Sequence, residues 1–411
     1  MGEPKLRFKA DDGSDFSGWE EKTLGELCAP LTYGMNAAAT KFDGENRYIR
    51  ITDIDDETHA LLPNDIVSPS GELDDKYLVK KGDILLARTG ASTGKSFLYH
   101  PKDGKLFYAG FLIKAHVLPS SDDYFIYSQT LTDRYWKWVK TASMRSGQPG
   151  INANEYASYS FAVPSLPEQR KIADFLSAVD AVIAAQQAEV DAWEQRKKGV
   201  MQKLFSQEVR FKADDGSEFP AWESATVGEL FTFVTEKNKD GHINNVITNS
   251  AERGLVPQRE YFDKDIAVDG NTKGYTVIRK GDFVYNPRKS TSAPFGPFNI
   301  YERNEVGIVS PLYTCLTPYD DEMAPYLAWY FKTNRWHPYI VTHGAQSGAR
   351  HDRVGMTVAL MEGIPVLLPS LPEQRKIADC LASMDEVIQK SKGELAKWQE
   401  LKKGLLQQMF M

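Results

Sequence analysis

One stretch of eleven residues occurs twice in the sequence, letter for letter: PSLPEQRKIAD occupies residues 164–174 and again residues 369–379. After each copy, mostly apolar residues recur in alternating steps of four and three, the spacing that places side chains on one face of a coiled-coil helix. We call these positions the heptad seam. Its first series is Ile172, Leu176, Val179, Ile183, Gln186, Val190, Trp193, Lys197, Val200 and Leu204. Its second series is Ile377, Leu381, Met384, Ile388, Ser391, Leu395, Trp398, Lys402, Leu405 and Met409.

Polar residues predict where both helices begin. Ser165 and Glu168 have the spacing of a capping box, and Ser370 and Glu373 repeat it. No proline interrupts either heptad series. The sequence therefore predicts two long helices that form a coiled coil from two segments of one chain.

A second repeat precedes each helix. Residues 6–27 return as residues 209–230 at an offset of 203, while the helix starts return at an offset of 205. We therefore expect two similar halves, with the two ends of the chain close together. The predicted segments are a first globular region at 1–165, its helix at 166–208, a second globular region at 209–370 and its helix at 371–411.

The regions between the repeated segments differ strongly from each other. Both contain short strand-like runs, such as residues 83–87, and helical spacing of aromatic residues, as in residues 124–140. Neither half has a sustained βαβ rhythm. The sequence predicts an α+β protein with two mixed α/β domains, long coiled-coil helices and an internal two-fold pseudo-repeat.

Composition narrows the class of protein. The formal net charge is −7, which opposes a stand-alone nucleic-acid binder but not one whose partners contribute phosphate contacts. Three scattered cysteines predict a reducing, cytoplasmic setting without disulfides. The first residues lack an apolar signal region, and no run approaches the length of a membrane span.

Three motifs resemble functional sequences but lack a required part. The TGASTGKS run at 89–96 has Thr89 where a phosphate-binding loop needs glycine. The dipeptide at 286–287 lacks the second proline and the aromatic residue of an amino-methyltransferase site. His337, His343 and His351 match no metal-ligand spacing. We predict no catalytic residue, no metal site and no cofactor.

Polar, basic loops remain as candidates for contact with DNA phosphates and base edges, because such residues donate to both. The same residues equally suit ordinary solvated turns. The candidates in the first half are Arg88, Thr89, Ser92, Thr93, Lys95, Arg145, Ser146 and Gln148. Those in the second half are Arg288, Lys289, Ser290, Gln346, Ser347, Arg350 and Arg353.

The duplicated helix starts, together with KGDILLARTG at 81–90, KGDFVYN at 280–286 and PGIN at 149–152, carry a resemblance to a known family. The chain strongly resembles the specificity subunit of type I restriction–modification systems over nearly its whole length. The second half has RHDR at 350–353 in place of a PGIN match. Which of its loops corresponds to 149–152 therefore stays open.

The resemblance implies two target recognition domains held apart by an antiparallel pair of helices. Each domain would read one half of a bipartite double-stranded DNA site. The subunit would catalyse nothing, would dock two methyltransferase subunits, and would be joined by two nuclease–translocase subunits in host defence.

Other functions remain open at this stage. A DNA-binding coiled-coil scaffold would explain the helices but not two large, divergent domains. An orphan specificity subunit would serve methylation only. A stand-alone DNA-modifying enzyme would need a catalytic motif, and it would differ from a specificity subunit by binding S-adenosylmethionine in isolation.

Overall fold

The computed structural model describes residues 4–144, 148–261, 272–344 and 352–410. The chain forms two compact units: the first is Met1–Ala188 with Lys392–Met411, and the second is Glu189–Ser391. Each unit therefore combines one mixed α/β region with the first part of one long helix and the last part of the other.

The first unit is built around a four-stranded antiparallel sheet in the order β2-β9-β6-β7. Its strands are β1 (Glu20–Thr23), β2 (Thr32–Tyr33), β3 (Ala39–Lys41), β4 (Arg47–Ile49), β5 (Val67–Pro69), β6 (Asp83–Ala87), β7 (Ser96–Leu98), β8 (Leu106–Tyr108), β9 (Leu112–His116) and β10 (Ser160–Val163). Its helices are α1 (Leu24–Leu27), α2 (Asp123–Gln129), α3 (Asp133–Ala142), α4 (Ala153–Ala157) and the first part of α5 (Leu166–Phe205).

The second unit contains an equivalent four-stranded sheet, β12-β19-β16-β17, and another in the order β14-β13-β18-β15. Its strands are β11 (Glu223–Thr226), β12 (Phe231–Phe233), β13 (Val246–Ser250), β14 (Gly254–Pro257), β15 (Thr276–Ile278), β16 (Phe283–Tyr285), β17 (Phe298–Ile300), β18 (Gly307–Val309), β19 (Thr314–Pro318) and β20 (Pro365–Leu368). Its helices are α6 (Val227–Leu230), α7 (Gln258–Tyr261), α8 (Ala324–Tyr330), α9 (His337–His343), α10 (Val358–Glu362) and the first part of α11 (Leu371–Met409).

The heptad seam is confirmed, because every position of both series is buried or half-buried along α5 and α11. In the first unit, apolar residues within 172–176 share a core with residues within 406–410. In the second unit, residues 204–205 share a core with apolar residues within 377–381. The start of one helix thus packs beside the end of the other in each unit, so the two helices pair antiparallel.

Two lysines of the seam form ion pairs. Lys402 pairs with Asp180 at 2.7 Å in the first unit, and Lys197 pairs with Asp385 in the second. The two pairs are equivalent, since Asp385 and Lys402 follow Asp180 and Lys197 by 205 residues each. Both lysines keep their aliphatic stems along the seam and place the ammonium group against the partner helix.

The two repeated sequence segments bind each other within each unit. Arg7 donates two hydrogen bonds, of 3.0 and 2.8 Å, to the carboxylate of Glu168. Arg210 donates in the same way to Glu373, at 3.0 and 2.6 Å, and Trp222 adds a third donor at 3.1 Å. Both glutamate side chains are fully buried. The pairing explains why the two segments recur together in the sequence.

The predicted capping boxes are wrong. Glu168 and Glu373 bind the arginines, so they are not used as caps. The hydroxyl groups of Ser165 and Ser370 are buried and have no hydrogen-bond partner within the described residues. The carboxylates face an arginine because its guanidinium neutralises a charge that the helix N-terminus alone offsets only in part.

We expect the Arg210→Ala substitution to lower the free energy of unfolding of the second unit by about 3–5 kcal/mol, because it leaves the Glu373 carboxylate buried without its cation. Urea denaturation followed by tryptophan fluorescence measures the loss. Arg303→Ala is the matched control, since Arg303 and its partner Glu260 are both exposed and such pairs contribute less than about 1 kcal/mol. Equal effects of the two substitutions would contradict the assignment.

A buried polar chain lies inside the first unit. His59 Nδ1 is 3.1 Å from Ser96 Oγ, which is 2.7 Å from Thr130 Oγ1. Burial lowers the pKa of His59 from 6.5 to about 4, with the charge of Lys95 acting in the same direction. The imidazole is therefore neutral in the folded protein at neutral pH.

The low pKa of His59 predicts a pH-dependent stability. Between pH 6.5 and about 4 the unfolded chain takes up a proton at His59 while the folded chain does not, so the free energy of unfolding falls by about 3 kcal/mol as the pH decreases. His59→Asn is the control, because asparagine tolerates the positive φ of 57° at this position. Urea denaturation across this pH range should give a shallower dependence for the variant, and parallel curves would refute the prediction.

Candidate nucleic-acid interface

The first candidate loop follows β6 and lies beside the segment that precedes α4. Arg88 N donates to Phe111 O at 3.0 Å, and Ile151 N donates to Arg88 O at 2.9 Å. Gly90 N donates to Pro149 O at 3.0 Å. The structure therefore brings residues 88–95 together with the described end of the second predicted loop of this half.

Buried tyrosines hold the base of this loop. Tyr156 accepts from Gly94 N at 3.1 Å and donates to Ala87 O at 2.6 Å, while Tyr135 donates to Gly94 O at 2.8 Å. Gly94 has φ +96°, and a Cβ there would lie 2.7 Å from Val139 Cγ1. Burial raises the pKa of Tyr156, so its phenol keeps the donor proton. The loop starts from a rigid base.

The candidate side chains of the first loop have different surroundings. Arg88 lies partly exposed with its guanidinium 4.8 Å from the centre of the Tyr33 ring. Lys95 is buried, and its ammonium binds Ile54 O and Asp56 Oδ1, both at 2.7 Å. Thr93 is also buried and donates to Gly90 O.

Arg88, Thr89, Ser92 and Gln148 therefore carry the accessible polar groups of this surface. Lys95 and Thr93 support the loop itself, and we leave both out of the proposed DNA-contacting set. Arg145 and Ser146 lie outside the described residues.

The second candidate loop has the same arrangement. Lys289 N donates to Asp352 O at 2.9 Å, and Val354 N donates to Pro287 O at 2.9 Å. Arg288 and Arg353 face each other in an antiparallel bridge, as Thr89 and Gly150 do in the first unit. The segment around Arg353 is thus the counterpart of 149–152, although its sequence differs.

Arg288, Lys289 and Ser290 are exposed on the second loop. Arg353 is half-buried, with its Nε 3.6 Å from Asp352 Oδ2. Gln346, Ser347 and Arg350 lie outside the described residues. A shallow pocket beside the loop is lined by Asn249, Ser250, Glu252, Asn286, Arg288 and Lys289.

Sequence reasoning missed an asparagine network that supports this second loop. Asn249 Nδ2 donates to Val284 O at 2.7 Å, and Asn286 Nδ2 donates to Asn249 O at 3.1 Å. Asn286 Oδ1 accepts from Arg288 N at 3.0 Å, which fixes the turn after β16. The available signal was asparagine within strand-like runs, since buried amides need partners.

Within the described residues, no group of three or more metal-ligating side chains comes together. None of the helices described is long and apolar enough to cross a membrane. The two polar loop surfaces offer hydrogen-bond donors and positive charge, which are the groups that contact phosphates and base edges.

The chain thus has two mixed α/β units with long helices, and each unit carries a pair of polar loops. A family model described as the type I restriction modification DNA specificity domain matches residues 17–192. The chain is 24% identical over 426 residues to the protein described as the type I restriction enzyme MjaX specificity subunit of Methanocaldococcus jannaschii, covering 97% of this chain and 94% of that relative. The MjaVIII specificity subunit of the same organism is 28% identical over 167 residues, covering 39% of this chain and 38% of that relative.

Solved structures share the fold. The type I restriction–modification S subunit from M. genitalium matches with a TM-score of 0.57 and 16% identity, over 100% of this chain and 99% of that chain. A chain from a structure on complex assembly and conformational transition of the type I restriction–modification system matches with a TM-score of 0.55 and 18% identity, over 95% of this chain and 96% of that chain. The chain is thus similar to type I restriction–modification specificity subunits, in sequence to the MjaX relative over 97% of this chain and in fold to the solved S subunit.

Proposed function

We propose that this chain is the DNA-specificity subunit of a type I restriction–modification complex and that it catalyses no reaction itself. The observation that carries the proposal is the pair of polar loops found at the same place in both units, after β6 and after β16. In this proposal the recognition domains are residues 1–165 and 209–370, and the spacer helices are 166–208 and 371–411.

A bipartite DNA site follows from the way the two units differ. Their scaffolds use equivalent sheets and equivalent arginine–glutamate pairs. Their loops differ, with Arg88 beside an aromatic ring in one unit and Arg288 next to Lys289 in the other. Equivalent scaffolds that carry different donors are suited to reading two different half-sites, because base edges are distinguished by their donor and acceptor patterns.

Partners account for the rest of the proposed complex. With a net charge of −7, the chain relies on other subunits for much of the phosphate contact. Two methyltransferase subunits would dock on it and supply both that contact and the methylation chemistry. Two nuclease–translocase subunits would complete the restriction activity, and the complex would work on double-stranded DNA in the cytoplasm.

We expect Arg88→Ala and Arg288→Ala to weaken recognition of different half-sites in the assembled methyltransferase complex. Loss of an arginine that reads a base typically costs about 1–3 kcal/mol and relaxes specificity at one position. Selection from a library of bipartite DNA sites measures the preference of each half separately. Arg303→Ala serves as the control, because it removes an exposed arginine that lies in neither loop.

Relaxation of one half-site by each loop substitution, with the other half unchanged, supports the assignment. Selection profiles identical to those of the unsubstituted complex for both variants would refute it. A complex that assembles but selects no sequence would identify the chain as a scaffold. Methylation of a selected site without cleavage, in cells that hold the whole system, would identify an orphan specificity subunit.

A second prediction concerns modularity. Replacing residues 16–163 with the matching part of a relative should change one half of the methylated DNA motif and leave the other half intact, since the first paired loops lie within this segment. Sequencing of methylated bases in host DNA gives the motif. A change in both halves would show that the two units do not read DNA independently.

A further inference from the structure

An exposed aromatic residue lies at the edge of the first loop surface. Phe111 occupies the turn between β8 and β9, and 64% of its area is exposed. Its neighbour Leu112 is fully buried, so the turn presents one ring outward while the chain on either side is anchored. Single exposed apolar residues are common on protein surfaces, so the neighbours of Phe111 decide what its exposure means.

Backbone contacts fix the position of this ring. Gly110 N donates to Met35 O at 2.8 Å, and Leu112 N donates to Ala109 O at 2.8 Å. The segment that follows β2 comes so close to the turn that a Cβ on Gly34 would lie 2.1 Å from Ala109 O. These contacts fix the backbone of the turn, and the Phe111 side chain leaves it on the exposed side.

The neighbours of Phe111 point to a nucleic-acid ligand. Its carbonyl accepts the hydrogen bond of Arg88 N, so the ring and the Arg88 side chain leave the same surface. The guanidinium of Arg88 lies over the ring of Tyr33, a residue that is 43% exposed. A surface that combines a cation with exposed aromatic residues matches a polyanion whose bases offer flat faces and methyl groups.

The second unit differs at the equivalent turn, between β18 and β19. Leu312 and Tyr313 are half-buried there, and Tyr313 packs against a core cluster of that unit. An exposed aromatic residue at this position is therefore a feature of the first unit.

We propose that Phe111 makes an apolar contact with a nucleobase in the first half-site and contributes to its selectivity. This inference rests on the proposed function and adds a base-contacting residue outside the polar loops. The contact is made either with the face of a base or with the methyl group of thymine, and the two are separated below.

The test uses the complex assembled with methyltransferase subunits and DNA that carries the selected site. Phe111→Ala should weaken binding about tenfold and relax selectivity in the first half-site only, since stacking on aromatic residues contributes on that scale. Phe111→Leu should retain part of the binding, because leucine keeps an apolar side chain. Tyr319→Ala is the matched control: Tyr319 is 68% exposed and follows the far end of β19.

Base analogues identify the contact. With 2-aminopurine placed along the first half-site, a fluorescence change that is present with the original protein and lost with Phe111→Ala indicates stacking on a base. If deoxyuridine in place of thymidine weakens binding by the original protein but not by Phe111→Ala, the contact is with a thymine methyl group. Either result supports the proposal.

The proposal is overturned if Phe111→Ala binds and selects DNA like the original protein, or if selectivity weakens equally in both half-sites. It is also overturned if the variant stays folded by circular dichroism but fails to assemble with methyltransferase subunits. Arg88→Ala separates this failure from failure of the proposed function. Normal DNA selection by Phe111→Ala alongside a defect in Arg88→Ala refutes only the role of Phe111. Normal selection by both variants refutes DNA reading by this surface.

Discussion

The buried arginine–glutamate pair at the start of each long helix is the interaction on which the rest of each unit depends. The arginine lies in the segment that begins a globular region, and the glutamate lies in the helix that follows that region. The pair therefore holds the two ends of the region together. A buried carboxylate requires this cation, since an uncompensated charge in the interior is strongly destabilising. The equivalent pairs Arg7–Glu168 and Arg210–Glu373 thus hold two regions of divergent sequence to their long helices in the same way.

Within each unit, strands fix the position of the polar loop surfaces. Both loops leave the end of a central strand and are bonded to the segment before a short helix. The supports differ: buried tyrosines hold the first loop, and an asparagine network holds the second. A rigid base lets exposed residues change between units without loss of the fold, which suits two readers of different sequences.

Much of the fold could be predicted, whereas the details of the site could not. The heptad series predicted both helices and their buried face, because the 3.5-residue spacing is visible in the sequence alone. The polar loops were proposed from the sequence as DNA contacts, and the structure brings the described part of each pair together. The capping boxes were wrong, because the glutamates pair with arginines 161 and 163 residues away in the chain. No local pattern contains that information.

The sequence by itself determined the duplication, the two long helices and the resemblance to a known family, because repeats and periodicity are properties of the order of residues. Only the tertiary structure decided which polar and aromatic groups face solvent. Lys95, next to Gly94 in a basic loop, is buried against Ile54 and Asp56, while Phe111 is held outward. Both outcomes depend on packing between segments that are far apart in the chain, because a charged side chain is buried only where such a segment supplies its partner.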